Sequence, residues 1–171
     1  MTSPLSVRLQ TPQDWQKVRD LRLEMLADTP IAYLERHEDA LLLGDEDWQR
    51  RISTRATGIA EAFALVEGDD TWLGQCTVNL DRWTAVRRVW VGAVYVTPKA
   101  RGGDGAAMLM RAAEDWARGV GHDEVWLEVN DHNPRAIAFY EREGWVRTGG
   151  VRPYPLDPEH SNELEMVKRL G

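Results

Sequence analysis

The sequence predicts an α/β domain built on a mixed sheet, and three observations carry that prediction. Hydrophobic residues follow a helical period up to about residue 55, then switch to period-2 alternation and continuous apolar runs. Residues 89–113, VWVGAVYVTPKARGGDGAAMLMRAA, read as a strand, a basic glycine-rich turn and a helix. Successive strands come first and a βαβ-like unit follows them, an order that calls for both antiparallel and parallel neighbours. With 171 residues, 43% of them hydrophobic, the chain can bury one core and is too short to expect two, so residues 1–171 are read as one domain.

Taken in order, residues 6–10 alternate as a short strand with Val7 and Leu9 on one side. Thr11, Pro12 and Asp14 then read as a helix start, and Trp15, Val18, Leu21, Leu23, Met25 and Leu26 fall near a 3.6 period until Asp28-Thr29-Pro30 stops them. Residues 31–45 read as a loop with a helical piece, and residues 46–55, carrying Trp48 and Ile52, as a second short helix. Residues 62–66 and 71–80 pair as a hairpin across the turn Glu67-Gly68-Asp69-Asp70. Residues 81–85 turn the chain into a strand over 86–96 that feeds the glycine turn; the helix after it ends near residues 118–121. Residues 124–129 form the next strand, Asn133-Pro134 opens a helix over 135–142 closed by Gly144, and residues 145–148 and 164–168 are closing strands separated by a Pro-rich stretch, 151–158.

Composition excludes several classes. A net charge of −7 with scattered Lys and Arg gives no footprint for nucleic acid or an anionic membrane, and no apolar run approaches the length of a membrane span. An acidic body suits a cationic or amine-bearing substrate. One cysteine, Cys76, leaves no internal disulfide, and its mid-strand position without a partner His reads as a buried structural thiol. The N-terminus has neither the charged start nor the apolar stretch of a signal peptide, so a cytoplasmic location is expected. His37, His122, His132 and His160 lack metal-ligand spacing, and no metal is expected. Eight dispersed tryptophans, Trp83 among them, point to core and cleft walls, and the run Glu114, Asp115, Arg118 to a helix surface.

A strand that runs through a Gly-rich turn into a helix N-terminus is a recipe for holding a phosphate, because the first helical turn leaves N–H groups unpaired and carries a partial positive charge. Here it is followed at a fixed distance by a second pattern. VYVTPKARGGDGA resembles the acetyl-CoA pyrophosphate loop of the Gcn5-related N-acetyltransferase (GNAT) superfamily, and EVNDHNPRAIAFYEREGW is similar to that family's second motif. The resemblance implies the single-domain GNAT fold, with a mostly antiparallel central sheet flanked by helices, and an acyltransferase that moves an acetyl group from acetyl-CoA to an amine. The expected route is direct attack in a ternary complex, with a primary amine of a small molecule as acceptor. The same motifs fit a protein N-terminal or lysine acetyltransferase, and a non-catalytic acyl-CoA-binding sensor is the reading from another class. A homodimer is plausible from the resemblance alone.

The resemblance also implies roles for named residues. The backbone of Val94, Tyr95 and Val96 would pair with the pantetheine arm as an added strand. Arg101, Gly102, Gly103, Asp104, Gly105 and Ala106 would cradle the pyrophosphate, with Asn133 and Arg135 also on the coenzyme. Arg101 beside a helix N-terminus is disfavoured unless an anion sits between them. Asp104 stands where the family carries Gly; Asp tolerates a left-handed backbone, and its carboxylate must point outward or cap the helix to avoid the pyrophosphate. Tyr140 would protonate the leaving thiolate, or else be a buried aromatic beside Ile137. Glu128, on one strand face with Trp126 and Asn130, is either a base toward the amine or a partner for an arginine. Glu35, Glu38 and Asp39 are further candidates for the acceptor cleft, and a backbone N–H on a locally broken strand is expected to stabilise the carbonyl oxygen.

Overall fold

The computed structural model describes residues 3–55, 58–81 and 85–171; Trp83 and most of the expected turn over 81–85 lie outside the described residues. The chain runs β1 (Leu5–Leu9), α1 (Trp15–Asp28), α2 (His37–Leu41), α3 (Asp45–Ser53), β2 (Ala60–Glu67), β3 (Thr71–Leu80), β4 (Val89–Val96), α4 (Gly105–Gly119), β5 (Glu124–Asn130), α5 (Pro134–Arg142), β6 (Val146–Pro153) and β7 (Asn162–Arg169). The strands form one sheet in the order β1-β2-β3-β4-β5-β7-β6, antiparallel at every pairing except β4 with β5. The expected mixed, mostly antiparallel sheet is therefore the observed one.

Each face of the sheet buries a different set of side chains. Toward α4 and α5 lie Leu65, Cys76, Val78, Leu109, Met110, Leu127 and Met166, all nearly inaccessible. Each such side chain contributes roughly 1.5–3 kcal/mol on burial. The other face takes Leu21, Met25 and Leu26 from α1, Trp48 from α3, and Tyr95 from β4. The helical period read in residues 15–26 is thus the stripe that packs on the sheet.

Three local expectations are corrected. Thr11-Pro12 first opens a short 3-10 turn, Pro12–Asp14, and α1 starts only at Trp15. The Asp14 carboxylate accepts the Thr11 N–H at 2.7 Å and is held by Arg8 at 2.9 Å, which fixes that corner. The strand expected over 145–148 runs on to Pro153, because a register shift between Arg147 and Val151 absorbs the extra chain and lets pairing with β7 resume. Glu114 is not on a helix surface: it is 7% exposed and receives Lys168 of β7 at 2.6 Å. The paired charge lets α4 lie flat across the sheet without burying a lone carboxylate.

Candidate active site

β4 and β5 pair at two positions, Val89↔Val125 and Trp90↔Trp126. Beyond them the strands part, and the wedge opens into a cleft of about 530 Å³ lined by both strands, α4 and α5. The cause lies in β4. Opposite β3 the register passes from Thr77↔Gly92 to Gln75↔Tyr95, so three steps along β4 match two along β3, and Ala93 takes up the extra residue at φ 46°. Such a bulge sharpens the local twist and turns peptide groups out of the ladder. A non-glycine residue in the left-handed region costs on the order of 1 kcal/mol or more.

Past the bulge the backbone alternates. Thr97 donates to Leu73 on β3 at 2.8 Å, so Tyr95, two residues earlier and opposite Gln75, also turns its peptide groups toward β3. Val94 and Val96 turn theirs to the cleft. The expected three-residue edge is therefore two residues wide, and the Tyr95 phenol points the other way, donating to Glu24 on α1 at 3.0 Å. Both cleft-facing carbonyls already accept a bond: Val94 from the Tyr33 hydroxyl at 3.0 Å and Val96 from Arg101 Nε at 2.9 Å.

The turn into α4 departs from expectation at three residues. Arg101 is not a free cation held for an anion; its guanidinium is paired with Asp28 at the end of α1, besides holding Val96. Asp28 is in turn held below the usual carboxylate range, first by its bond from Arg101. Asp104 is right-handed, at φ −85°, and the left-handed residue of the turn is Gly102 at φ 83°. The Asp104 carboxylate makes no cap and points outward to Arg111 at 2.8 Å, so of the two ways to avoid an anion it takes the first. Gly105 is buried, and a Cβ there would lie 2.5 Å from Leu65 Cδ2; its missing side chain serves the seating of α4 on β2. Met108 makes the first helical bond of α4, to the carbonyl of the preceding Asp104 at 2.9 Å, which leaves the amides of residues 105–107 at the helix mouth. Gly102, Gly103, Asp104 and Ala106 line the cleft there, as does the exposed Arg135.

The opposite wall belongs to α5. Asn133 caps that helix by accepting the Ala136 N–H at 3.3 Å, and its side of the cleft leads to Tyr140. Tyr140 is 7% exposed, and its ring packs 5.4 Å from Phe139 and 6.0 Å from Trp145. Burial pushes its phenol well above the ordinary range, and among the described residues its hydroxyl has no hydrogen-bond partner. The phenol therefore keeps its proton at neutral pH in the wall of the cleft. Cys76, by contrast, is wholly buried with its thiol pushed up to about 12 by burial, which suits structure and not attack.

The sequence profile described as the acetyltransferase (GNAT) family matches residues 17–145. The chain belongs to that family. It is 36% identical over 120 residues to an uncharacterised N-acetyltransferase of Mycobacterium tuberculosis, covering 70% of this chain and 66% of that protein. It is 33% identical over 90 residues to a streptothricin acetyltransferase of Streptomyces lavendulae, covering 53% of this chain and 47% of that protein. A Salmonella typhimurium structure solved with its cofactor acetyl-CoA superposes with a TM-score of 0.76 at 15% identity, covering 99% of this chain and 95% of that one.

In this GNAT chain the segment after α1 also lines the cleft, through Thr29, Ala32 and Tyr33. Tyr154, after β6, donates to Tyr33 O at 2.6 Å and Pro30 O at 3.3 Å, and Arg36 donates to Leu156 O at 3.2 Å. These bonds join the segment after α1 to the segment between β6 and β7. Glu128 lines the cleft, but Arg152 of β6 grips it with Nε at 2.7 Å and with a second nitrogen. Of the acidic residues expected near the acceptor, Glu35 sits between Arg22 at 2.9 Å and Arg51 at 2.6 Å, and Glu38 and Asp39 are exposed on α2.

The residues that sequence reasoning missed are Tyr33, Asn130 and Glu163. Asn130 is 2% exposed and lines the cleft; its Oδ1 accepts from His132 N and Ser161 Oγ, both at 2.9 Å, while Nδ2 is buried without a partner among the described residues. Directly across the register on β7 is Glu163, 6% exposed and without an ion pair among the described residues. Burial first, then the negative charge of Glu128, pushes its carboxyl up to about 7. The one available signal was the alternation in NELEMV, which puts Glu163 and Glu165 on the face shared by Glu128 and Asn130. Among the described residues no helix is long and apolar enough to cross a membrane, and no group of three His, Cys, Asp or Glu residues could hold a metal ion.

Proposed function

We propose that this acetyltransferase moves the acetyl group of acetyl-CoA to the primary amine of a small molecule by direct attack in a ternary complex. The observation that carries the reading is the cleft between the parted strands β4 and β5, with the mouth of α4 at one end and, in its wall, the Tyr140 hydroxyl, unpartnered among the described residues. The pantetheine arm would lie along Val94 and Val96, and the pyrophosphate would meet the amides of residues 102–107 with Arg135 as the nearby cation. Arg101 would act by holding the loop. The bulge at Ala93 frees peptide groups where the thioester oxygen gains charge.

In the reaction the amine nitrogen bonds to the thioester carbon, the C–S bond breaks, and the thiolate takes the Tyr140 proton. The proton shed by the amine goes to a carboxylate. Glu163 suits that step better than Glu128: a base is most effective with a pKa near the working pH, and both oxygens of the Glu128 carboxylate are already occupied by Arg152. Asn130, facing both the cleft and Glu163, would position the water between them. The streptothricin acetyltransferase similarity supports a small acceptor over a protein surface. Stabilisation against heat by acetyl-CoA is the first test, because a ligand that binds only the folded state must raise its stability; thiol release with an amine panel is the second. A protein that acetyl-CoA does not stabilise would refute the reading.

A further inference from the structure

On the far side of the bulge lies a second cavity, of about 290 Å³, and Ala93 lines both it and the main cleft. It is bounded by α1, α3 and the sheet, and three of its wall residues are Arg22, Arg51 and Arg55. Arg22 and Arg51 share the single carboxylate of Glu35. Arg51 also stacks on Trp48 at 4.8 Å and Arg22 on Tyr33 at 5.2 Å, so both guanidinium groups are fixed in place. Among the described residues Arg55 has no carboxylate partner; its guanidinium donates to Gln10 Oε1 at 3.2 Å, and Gln10 is itself tied to Gln75. Burial and the repulsion of Arg22 and Arg51 lower its affinity for its own proton, an uncommon strain for a guanidinium. Glu61 lines the same cavity but does not relieve it, since burial alone accounts for the raised pKa of that carboxyl.

Three cations against two carboxylates, Glu35 and Glu61, leave a surplus of positive charge beside a cavity that shares Ala93 with the main cleft, an arrangement that lowers its energy by taking up negative charge. Arginine forks match carboxylate and phosphonate geometry in particular. Resting on the acetyl-transfer reading, we infer that the acceptor is an amine that also carries an anionic group, a carboxylate or a phosphonate, which Arg55 binds with Arg22 and Arg51 while the amine faces the bulge at Ala93. The acidity of the chain as a whole, which suggested a cationic acceptor, does not extend to this cavity.

The test compares matched amines by thiol release from acetyl-CoA: a set of amino acids against their amides, and 2-aminoethylphosphonate against its diethyl ester. The charged member of each pair is expected to show at least tenfold higher kcat/KM. Arg55→Gln should shrink that ratio toward one and Arg55→Lys should keep part of it. Equal rates for the two members in the wild-type protein, or a preference for the neutral one, overturn the inference while leaving acetyl transfer standing. Should no amine turn over, heat shifts separate the two claims. Stabilisation by acetyl-CoA reports on the first. Stabilisation by inorganic phosphate in the wild-type protein, lost in Arg55→Gln, supports the second; no phosphate shift, or the same shift in both proteins, overturns it. The wild-type comparison stands even if Arg55→Gln fails to fold.

Discussion

Arg152 closes on the Glu128 carboxylate with Nε at 2.7 Å from Oε1 and a second nitrogen on Oε2, across the β7 strand that carries Glu163 between them. One acid is thereby neutralised by a partner, and its neighbour is left to protonate near pH 7.

That division predicts a pH profile. With Glu163 as base, kcat/KM rises with pH through about 7 and levels off once the carboxylate is ionised. Glu163→Gln should lose this limb and about 10²-fold in rate, whereas Glu128→Gln should keep a limb that moves to lower pH, since the charge of Glu128 helps to raise the Glu163 carboxyl. Stability gives a second readout. The folded protein holds the Glu163 proton more tightly than the unfolded chain, so this residue's contribution is full below the ordinary Glu pKa and is lost as pH rises through about 7. Denaturant midpoints at pH 5 and pH 8 should show that decline in the wild-type protein and a smaller one in Glu163→Gln.

Tyr140→Phe should separate chemistry from packing. Its hydroxyl has no protein partner among the described residues, while its ring packs on Phe139 and Trp145, so removing the oxygen should leave the melting temperature nearly unchanged. The rate of acetyl transfer should fall by roughly 10²-fold. An unaltered rate in a folded variant would remove Tyr140 as the acid.

Arg135 and Arg101 are both near the coenzyme turn but should fail differently. Arg135 is exposed in the cleft lining, so Arg135→Ala should raise KM for acetyl-CoA several-fold, an effect that fades with added salt. Arg101 ties Asp28 to Val96, and Arg101→Ala should lower the melting temperature even without ligand. Calorimetry with and without acetyl-CoA distinguishes the two.

Gly105→Ala should destabilise by about 1–3 kcal/mol, the usual cost of overpacking, because its Cβ would meet Leu65 Cδ2 at 2.5 Å. Pairing it with Leu65→Val should recover part of the loss in denaturant titrations. A loss of acetyl-CoA binding with stability intact would instead place Gly105 among the coenzyme contacts in its own right.

The sheet and helices were legible because they are written in local periodicity: the stripe of α1, the alternation of β2 and β3, and the Asn133 cap all act within a few residues. The glycine-rich turn into α4 and Tyr140 stood out as motifs at a fixed spacing, and both line the cleft. What was not legible depends on partners far away in the chain. Arg101 finds Asp28 seventy-three positions earlier, which no spacing within the turn announces. The bulge sits at Ala93, an ordinary residue in an apolar run, and is imposed by the register of β3. Glu163 owes its pKa to burial and to Glu128 on another strand, and the arginines of the second cavity gather from α1 and the end of α3.

The two paired positions between β4 and β5 leave the sheet stitched at one end and open at the other. A pantetheine arm laid beside Val94 and Val96 would be a splint across that open joint, stiffening the wall at Ala93 against which the amine must be pressed. On the proposed reading acetyl-CoA would load first, to brace the frame, and the acceptor second; product-inhibition kinetics would check that order.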